Sequence, residues 1–526
     1  MLVPQIVGVA ALAASAAAQL SGNTAVLDYG TFIGEQDDDA GIINFRGVRY
    51  ADAPVGDLRW RAPVSPPSSN LGEVDASSFP AACIRSTADG AEEEEVVFKY
   101  SSAAVSGYSE DCLFLNVYVP VSTAADDSLP VLVFIHGGGF QVGDPDSDPP
   151  DYLLSSSSEP LIFVTIQYRL GSYGYLGGKA IGNDGNFNVG LLDQRAAFQW
   201  VQKYISEFGG DPSLVTMWGQ SAGASAVMFH LLANGGNNEG LFARAIADSP
   251  PIGIQPECTG TFAETLLAEL AEEAGCDDVQ DVVNCLRGVD ASDLTSATSR
   301  TLARHPTMLY PLQPCIDGDY LTSTIVPALE ANAIAHVPLL FGSNTDEGSG
   351  WSSGISVPSA NTSMPNATED TAYAFLQGQY PGFTRTSFNH AVDLYPLGRY
   401  GYSIDRQAQQ MYGEVRYICS AVLAGQRLSQ LYQYHYDNPT TGSTHGAELT
   451  AFFSPPDNSN IWEVMREYWT SFARDGRPQA ARASPWTNTP NTRMLLHPGR
   501  IGMEYVDGAL QNRCDFWHGI SEELWT

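Results

Sequence analysis

Leu214-Val215-Thr216-Met217-Trp218-Gly219-Gln220-Ser221-Ala222-Gly223, continued by Ala224 to Leu232, reads as strand, sharp turn and helix in immediate succession. A chain that reverses from strand to helix within so few residues forces Ser221 into a strained conformation and leaves no room for Cβ atoms at 219 and 223. The serine hydroxyl then stands at a helix N-terminus, where negative charge is favoured. The pattern G-x-S-x-G alone is weak, since a chain this rich in glycine matches it by chance about 0.4 times. Gly350-Trp351-Ser352-Ser353-Gly354 also matches, but in a Ser/Gly loop with no strand before it and no helix after it. The strand–turn–helix context singles out Ser221.

Outward from this turn, strands alternate with helices. Leu129 to Ile135 and Leu161 to Tyr168 are short apolar runs expected as buried strands of a parallel sheet. Between the second run and Leu214 lies a helix with Ala197, Val201, Tyr204 and Phe208 on one stripe, stopped by Gly209 and Gly210. No Pro/Ser-rich linker divides the chain, so residues 19–526 are expected to form one α/β domain with a central, mostly parallel, twisted sheet flanked by helices. Residues 1–18 read as a secretory leader: the apolar run from Ile6 to Ala18 is too short to span a bilayer and ends in an Ala-x-Ala site before Gln19.

The 526 residues carry 26 Lys and Arg against 60 Asp and Glu, a formal charge of −34. Such a surface repels phosphate backbones and anionic headgroups, which excludes nucleic acid and stable membrane association as modes of action. Hydrophobic residues at 44% and charged residues at 16% describe a globular chain rather than a disordered one. Eight cysteines and sequons at Asn361 and Asn366 agree with an oxidising, secreted, glycosylated route. By spacing, Cys83 and Cys112 would tie off a loop, and Cys276 and Cys285 would close a short acidic segment before a helix carrying Val279, Val282, Val283 and Leu286. Spacing leaves the pairing of Cys258, Cys315, Cys419 and Cys514 open.

A serine nucleophile needs a base, a group to orient that base, and donors for the oxyanion that develops during attack. His136-Gly137-Gly138-Gly139-Phe140 directly follows a strand, and its glycines let backbone N–H groups approach a substrate oxygen. For the acid, Asp346 and Glu347 share a turn after the strand-like run Val337 to Phe341, and the residues alone divide the role evenly between them. Five histidines follow Glu347: His390, His435, His445, His497 and His518. Only His445 follows a strand, Leu431 to Tyr436, on a Thr-Gly-Ser-Thr loop and precedes a glycine, the setting expected for a base at the carboxyl edge of a sheet. His435 is expected to pack within that strand.

These blocks together resemble the type-B carboxylesterases, the cholinesterase and fungal-lipase branch of the α/β-hydrolases. Further matching blocks are Phe45-Arg46-Gly47-Val48-Arg49-Tyr50, Ser109-Glu110-Asp111-Cys112-Leu113-Phe114-Leu115-Asn116, Tyr168-Arg169-Leu170-Gly171, Asn188-Val189-Gly190-Leu191-Leu192-Asp193-Gln194, Phe208-Gly209-Gly210-Asp211-Pro212 and Asp346-Glu347-Gly348. The resemblance implies Ser221 as nucleophile, Glu347 as acid and His445 as base, with the N–H groups of Gly138, Gly139 and Ala222 as the oxyanion hole. It also implies the Cys83–Cys112 and Cys276–Cys285 bridges. Cys419–Cys514 resembles a third cholinesterase bridge, which would leave Cys258 with Cys315. Structural ion pairs are implied for Arg46 with Glu110 and for Arg169 with Asp193.

The implied activity is hydrolysis of small-molecule carboxylic esters through an acyl-enzyme, with no metal or organic cofactor, by a secreted protein of fungal type. Lipases of the family carry an apolar lid in the loop closed by the first disulfide. Here that loop holds Glu92-Glu93-Glu94-Glu95, read as a solvated stretch, together with Phe98, Tyr100 and Tyr108, so interfacial activation is not expected. Without a loop tryptophan for cation–π binding, and with Gln220 before Ser221, choline specificity is not expected either. A lipid or feruloyl esterase shares the same chemistry. An adhesion module of this fold would be expected to lack the nucleophile. The sequence carries no signal for the oligomeric state.

Overall fold

The computed structural model describes residues 22–88, 107–124, 127–147, 149–456 and 460–526. Its centre is an eleven-stranded sheet. In chain order the strands are β1 (Glu35–Asp37), β2 (Ile42–Arg49), β3 (Phe114–Pro120), β4 (Leu129–Ile135), β5 (Ile162–Ile166), β6 (Gly210–Gln220), β7 (Arg244–Asp248), β8 (Leu339–Asn344), β9 (Leu431–Tyr436), β10 (Thr492–His497) and β11 (Arg500–Tyr505). Across the sheet they lie in the order β11-β10-β9-β8-β7-β6-β4-β5-β3-β2-β1. Strands β4 to β10 run parallel. The edges are antiparallel, with β3, β2 and β1 on one side and β11 on the other.

The central strands are largely buried and mostly apolar because helices cover both faces. On β4, Val131, Val133 and Ile135 enter a core shared with Trp200 and Val201 of helix α1 (Val189–Tyr204) and with Met228 and Leu231 of helix α2 (Ala222–Gly236). The alternate residues Leu132 and Phe134 face the opposite layer, where Trp462, Met465, Trp469 and Phe472 of helix α3 (Ile461–Asp475) pack against Trp218 and Leu340. The α/β-hydrolase class expected from the sequence is thus the architecture observed. The helix ahead of β6 begins at Val189 and tightens into a 3₁₀ turn, Ile205–Phe208, before Gly209 at φ +83°.

All eight cysteines pair: Cys83–Cys112, Cys258–Cys315, Cys276–Cys285 and Cys419–Cys514. The helix after Cys276 is shorter than the sequence suggests, spanning Val282–Gly288 and leaving Val279 outside and exposed. Arg169 donates to both oxygens of Asp193 at 2.7 Å, as the resemblance implies. The expected Arg46–Glu110 pair is corrected. Arg46, on β2, meets Glu35 of the edge strand β1 at 2.8 Å, while Glu110 takes two 2.7 Å bonds from the buried Arg59. Arg59 wins because its guanidinium is fixed a second time by the carbonyls of Leu286 and Val289.

Candidate active site

Strand β6 ends at Gln220 and α2 begins at Ala222, so one residue makes the whole reversal. Ser221 has φ +55° and ψ −125°, a conformation that L-residues avoid. Its N–H donates to Asp248 O at 3.0 Å and its carbonyl accepts from Ser225 N at 2.9 Å, which hold the turn. The flanking glycines are sterically required. A Cβ at 219 would lie 2.2 Å from Gly223 O, and one at 223 would lie 2.0 Å from Ile135 O.

Beside this turn, β4 runs out into His136 and the three glycines. Gly138 at φ +108° and Gly139 at φ +63° take left-handed backbone conformations. A side chain at 138 would meet Val142 O at 2.1 Å, and one at 139 would strike the ring of Tyr310 at 2.2 Å. His136 anchors the loop from below. Its Nδ1 donates to Gly137 O at 2.8 Å and its ring stacks on Tyr168, while burial pushes its pKa down to about 4, so it stays neutral.

Glu347 and His445 come from the loops after β8 and β9, tied by a backbone bond from Asp346 N to Ser443 O and a side-chain bond from Asn344 Nδ2 to Thr444 O. His445 Nε2 lies 2.7 Å from Ser221 Oγ and its Nδ1 lies 2.6 Å from Glu347 Oε2. The second oxygen of Glu347 accepts from Asn344 N and from Ser249 Oγ, each at 2.6 Å. Burial separates the rival acids: Glu347 is fully buried, whereas Asp346 is exposed. Ser221, Glu347, His445, Gly138, Gly139 and Ala222 thus meet at one end of the parallel strands. The structure places the rival histidines elsewhere; His435 on β9 bonds Glu504 at 2.9 Å. Ser352 sits in a 3₁₀ turn, its hydroxyl 2.5 Å from Thr362 Oγ1, and no imidazole among the described residues bonds it.

Four residues around this site escape a sequence reading. Tyr417 and Trp351 flank the His445 ring, with centroids 4.2 and 5.5 Å away. Ser249 orients Glu347. Glu448, fully buried, accepts from Asn344 Nδ2 and lies 3.4 Å from both Gln220 Nε2 and Ser249 Oγ. Burial and the neighbouring Glu347 charge push the Glu448 pKa up to about 7. Its place three residues after His445 was the only sequence signal.

Glu92 to Glu95, Phe98 and Tyr100 lie outside the described residues, as does the leader. Tyr108 is exposed. Asn366 is exposed, whereas Asn361 turns its side-chain amide onto Ile355 O at 3.1 Å. Among the described residues no group of three or more His, Cys, Asp or Glu could hold a metal ion, and no helix is long and apolar enough to cross a membrane.

The carboxylesterase family model matches residues 21–517. Lipase 5 of Diutina rugosa is 34% identical over 402 residues, 73% of this chain and 69% of that protein. Secreted lipase 1 of Botryotinia fuckeliana is 31% identical over 496 residues, 86% of this chain and 84% of that one. The crystal structure of Aspergillus niger EstA superposes with a TM-score of 0.83 at 27% identity, covering 96% of this chain and 99% of the other. With a sheet, a buried serine turn and a sequence match that agree over nearly the whole chain, the protein belongs to the carboxylesterase family and is a carboxylic-ester hydrolase.

Proposed function

We propose that the protein is a secreted serine esterase acting through an acyl-enzyme, with Ser221 as nucleophile, His445 as base and Glu347 as the orienting acid. The observation that carries this reading is the unbroken hydrogen-bonded line from Ser221 Oγ through both His445 nitrogens to Glu347, at 2.7 and 2.6 Å. Glu347 accepts a hydrogen bond from Nδ1–H, which keeps the ring proton on Nδ1 and leaves Nε2 with a free lone pair facing the serine. Ser221 Oγ attacks the ester carbonyl as Nε2 takes its proton. The developing oxyanion is held by the N–H groups of Gly138, Gly139 and Ala222, the last aided by the N-terminus of α2. Collapse expels the alcohol, which receives the proton from His445. Water then attacks the acyl-serine by the same route and releases the acid.

Four disulfides and the resemblance to a secreted lipase support an extracellular setting. We place the leader at residues 1–18, one domain over 19–526, and N-glycans at the Asn361 and Asn366 sequons. Substrate size is read from p-nitrophenyl esters running from acetate to palmitate, with Ser221→Ala beside the wild type. An activity optimum at short acyl chains, lost by about 10⁴- to 10⁶-fold in the variant, is expected. An optimum at long chains would make the protein a lipase, and activity retained by Ser221→Ala would overturn the triad.

A further inference from the structure

Arg416 lies in a π-type turn, Glu414–Ile418, set between the helices Ile404–Gly413 and Cys419–Arg427. Such widened turns recur at functional sites, because they take side chains out of helical register. Tyr417 of this turn packs on His445, and Arg416 beside it is 6% exposed. Among the described residues, no carboxylate lies within ion-pairing distance of its guanidinium. Glu414, the acid of the same turn, is already held by two 2.7 Å bonds from Arg513 and one from Tyr395. Arg416 Nε has no hydrogen-bond partner, and the groups around the guanidinium are the phenols of Tyr380, Tyr412 and Tyr417, which burial keeps neutral, with Tyr380 within hydrogen-bonding reach. A guanidinium buried without a counter-charge is unfavourable, and an anionic ligand relieves it.

The position of this cation relates it to the ester. Gly253 passes so close that a Cβ there would lie 2.9 Å from Arg416 Nη1 and 2.2 Å from Gln313 Oε1. Gln313 donates to Tyr310 O at 2.8 Å, and the Tyr310 ring is the one that abuts Gly139. Trp351 closes the ring of aromatics between Tyr310 and His445, 6.1 and 5.5 Å from them. Arg416 therefore stands at the wall that an acyl group on Ser221 would face, beside Tyr310 and Tyr417 on the Gly139 side.

We propose that Arg416 binds a carboxylate carried on the acyl part of the substrate, making half-esters of dicarboxylic acids a favoured substrate class. The proposal rests on the Ser221 reading for where the acyl group sits. The planar guanidinium fork matches a carboxylate in bidentate geometry, which an ammonium matches only as a point charge.

The test compares esters of matched length, methyl hexanoate and monomethyl adipate, by pH-stat at pH 7.5, in wild type, Arg416→Met and Arg416→Lys. Monomethyl succinate and glutarate vary the reach. In wild type the best half-ester is expected to have a lower KM than the neutral ester of equal length. The half-ester to neutral-ester ratio of kcat/KM is expected to fall about ten- to a hundredfold in Arg416→Met and to recover in part in Arg416→Lys. An unchanged ratio in Arg416→Met overturns the proposal. If that variant does not fold, a wild-type KM for every half-ester above that of its neutral counterpart overturns it as well. Calorimetric binding of monomethyl adipate to Ser221→Ala, with and without Arg416→Met, reads the same contact without turnover. Loss of binding would uphold Arg416 even if Ser221→Ala kept its activity and the triad failed, and binding unaffected by Arg416→Met would overturn Arg416 with the triad intact.

Discussion

Glu448 is a residue beside the site whose charge the fold opposes. Its folded pKa of about 7 lies above the ordinary 4.5, because burial and the Glu347 carboxylate both favour the protonated form. The folded state therefore holds a proton that the unfolded chain has lost between those values. Stability attributable to this group is undiminished below about 4.5 and declines as pH rises toward 7. Glu448→Gln removes the titration. Its stability relative to wild type should increase from pH 4.5 to pH 8 by at most about 3 kcal/mol, read as the difference in urea midpoints at the two pH values. A difference that stays flat with pH would mean that Glu448 is ionised in the folded protein. The sequence exposed Ser221 and His445 because each sits on a local pattern of strand, turn and glycine. It left Asp346 and Glu347 level because both share one turn, and only the three-dimensional fold turns one inward and the other to solvent. Ser249, Tyr417 and Glu448 were silent for a related reason. Their relation to the site is made by β7, the π-type turn and the loop after β9 converging, not by neighbours in sequence.

Among the elements, strands were legible as apolar runs but not always with the right bounds: the run Leu161–Tyr168 is the strand Ile162–Ile166, and Val337–Phe341 gives way to Leu339–Asn344. The runs Leu129–Ile135 and Leu431–Tyr436 appear with the expected bounds, whereas the strand expected from Leu214 begins at Gly210, where Gly210 pairs with Leu129 before a register shift. That shift removes the regular alternation on which a sequence reading depends. Disulfides act on this same scale, each restricting the unfolded chain by the loop it closes. Cys419–Cys514 spans a separation of 95 residues and Cys276–Cys285 one of 9. Chain-entropy scaling makes the long loop worth about 2 kcal/mol more than the short one. Cys419→Ala/Cys514→Ala should therefore lower the urea midpoint more than Cys276→Ala/Cys285→Ala does. The reverse order would show that the packing of helix Cys419–Arg427 against helix Gly508–Gly519 holds that region without the bond.

For the whole molecule, the decisive quantity is the imbalance of 60 acidic to 26 basic side chains. The fold places many arginines in pairs, such as Arg169–Asp193 and Arg59–Glu110, yet 34 carboxylates remain beyond any possible pairing. Two opposite responses to salt then compete. Screening weakens the exposed pairs, each worth about 0 to 1 kcal/mol, and it also weakens the mutual repulsion of the surplus carboxylates. The buried pairs are little screened, so the repulsive part should dominate. Raising NaCl from 0.01 to 0.15 M shortens the Debye length from about 30 to about 8 Å. The melting temperature at pH 8 is therefore expected to rise over that range, and the rise should vanish near the sequence pI of 4.4, where the surplus charge is gone. A melting temperature that falls with salt at pH 8 would show that attractive pairs outweigh the net charge. The same field bears on substrate choice. An anionic half-ester must approach against it, so its KM should drop with added salt while that of a neutral ester of equal length stays level.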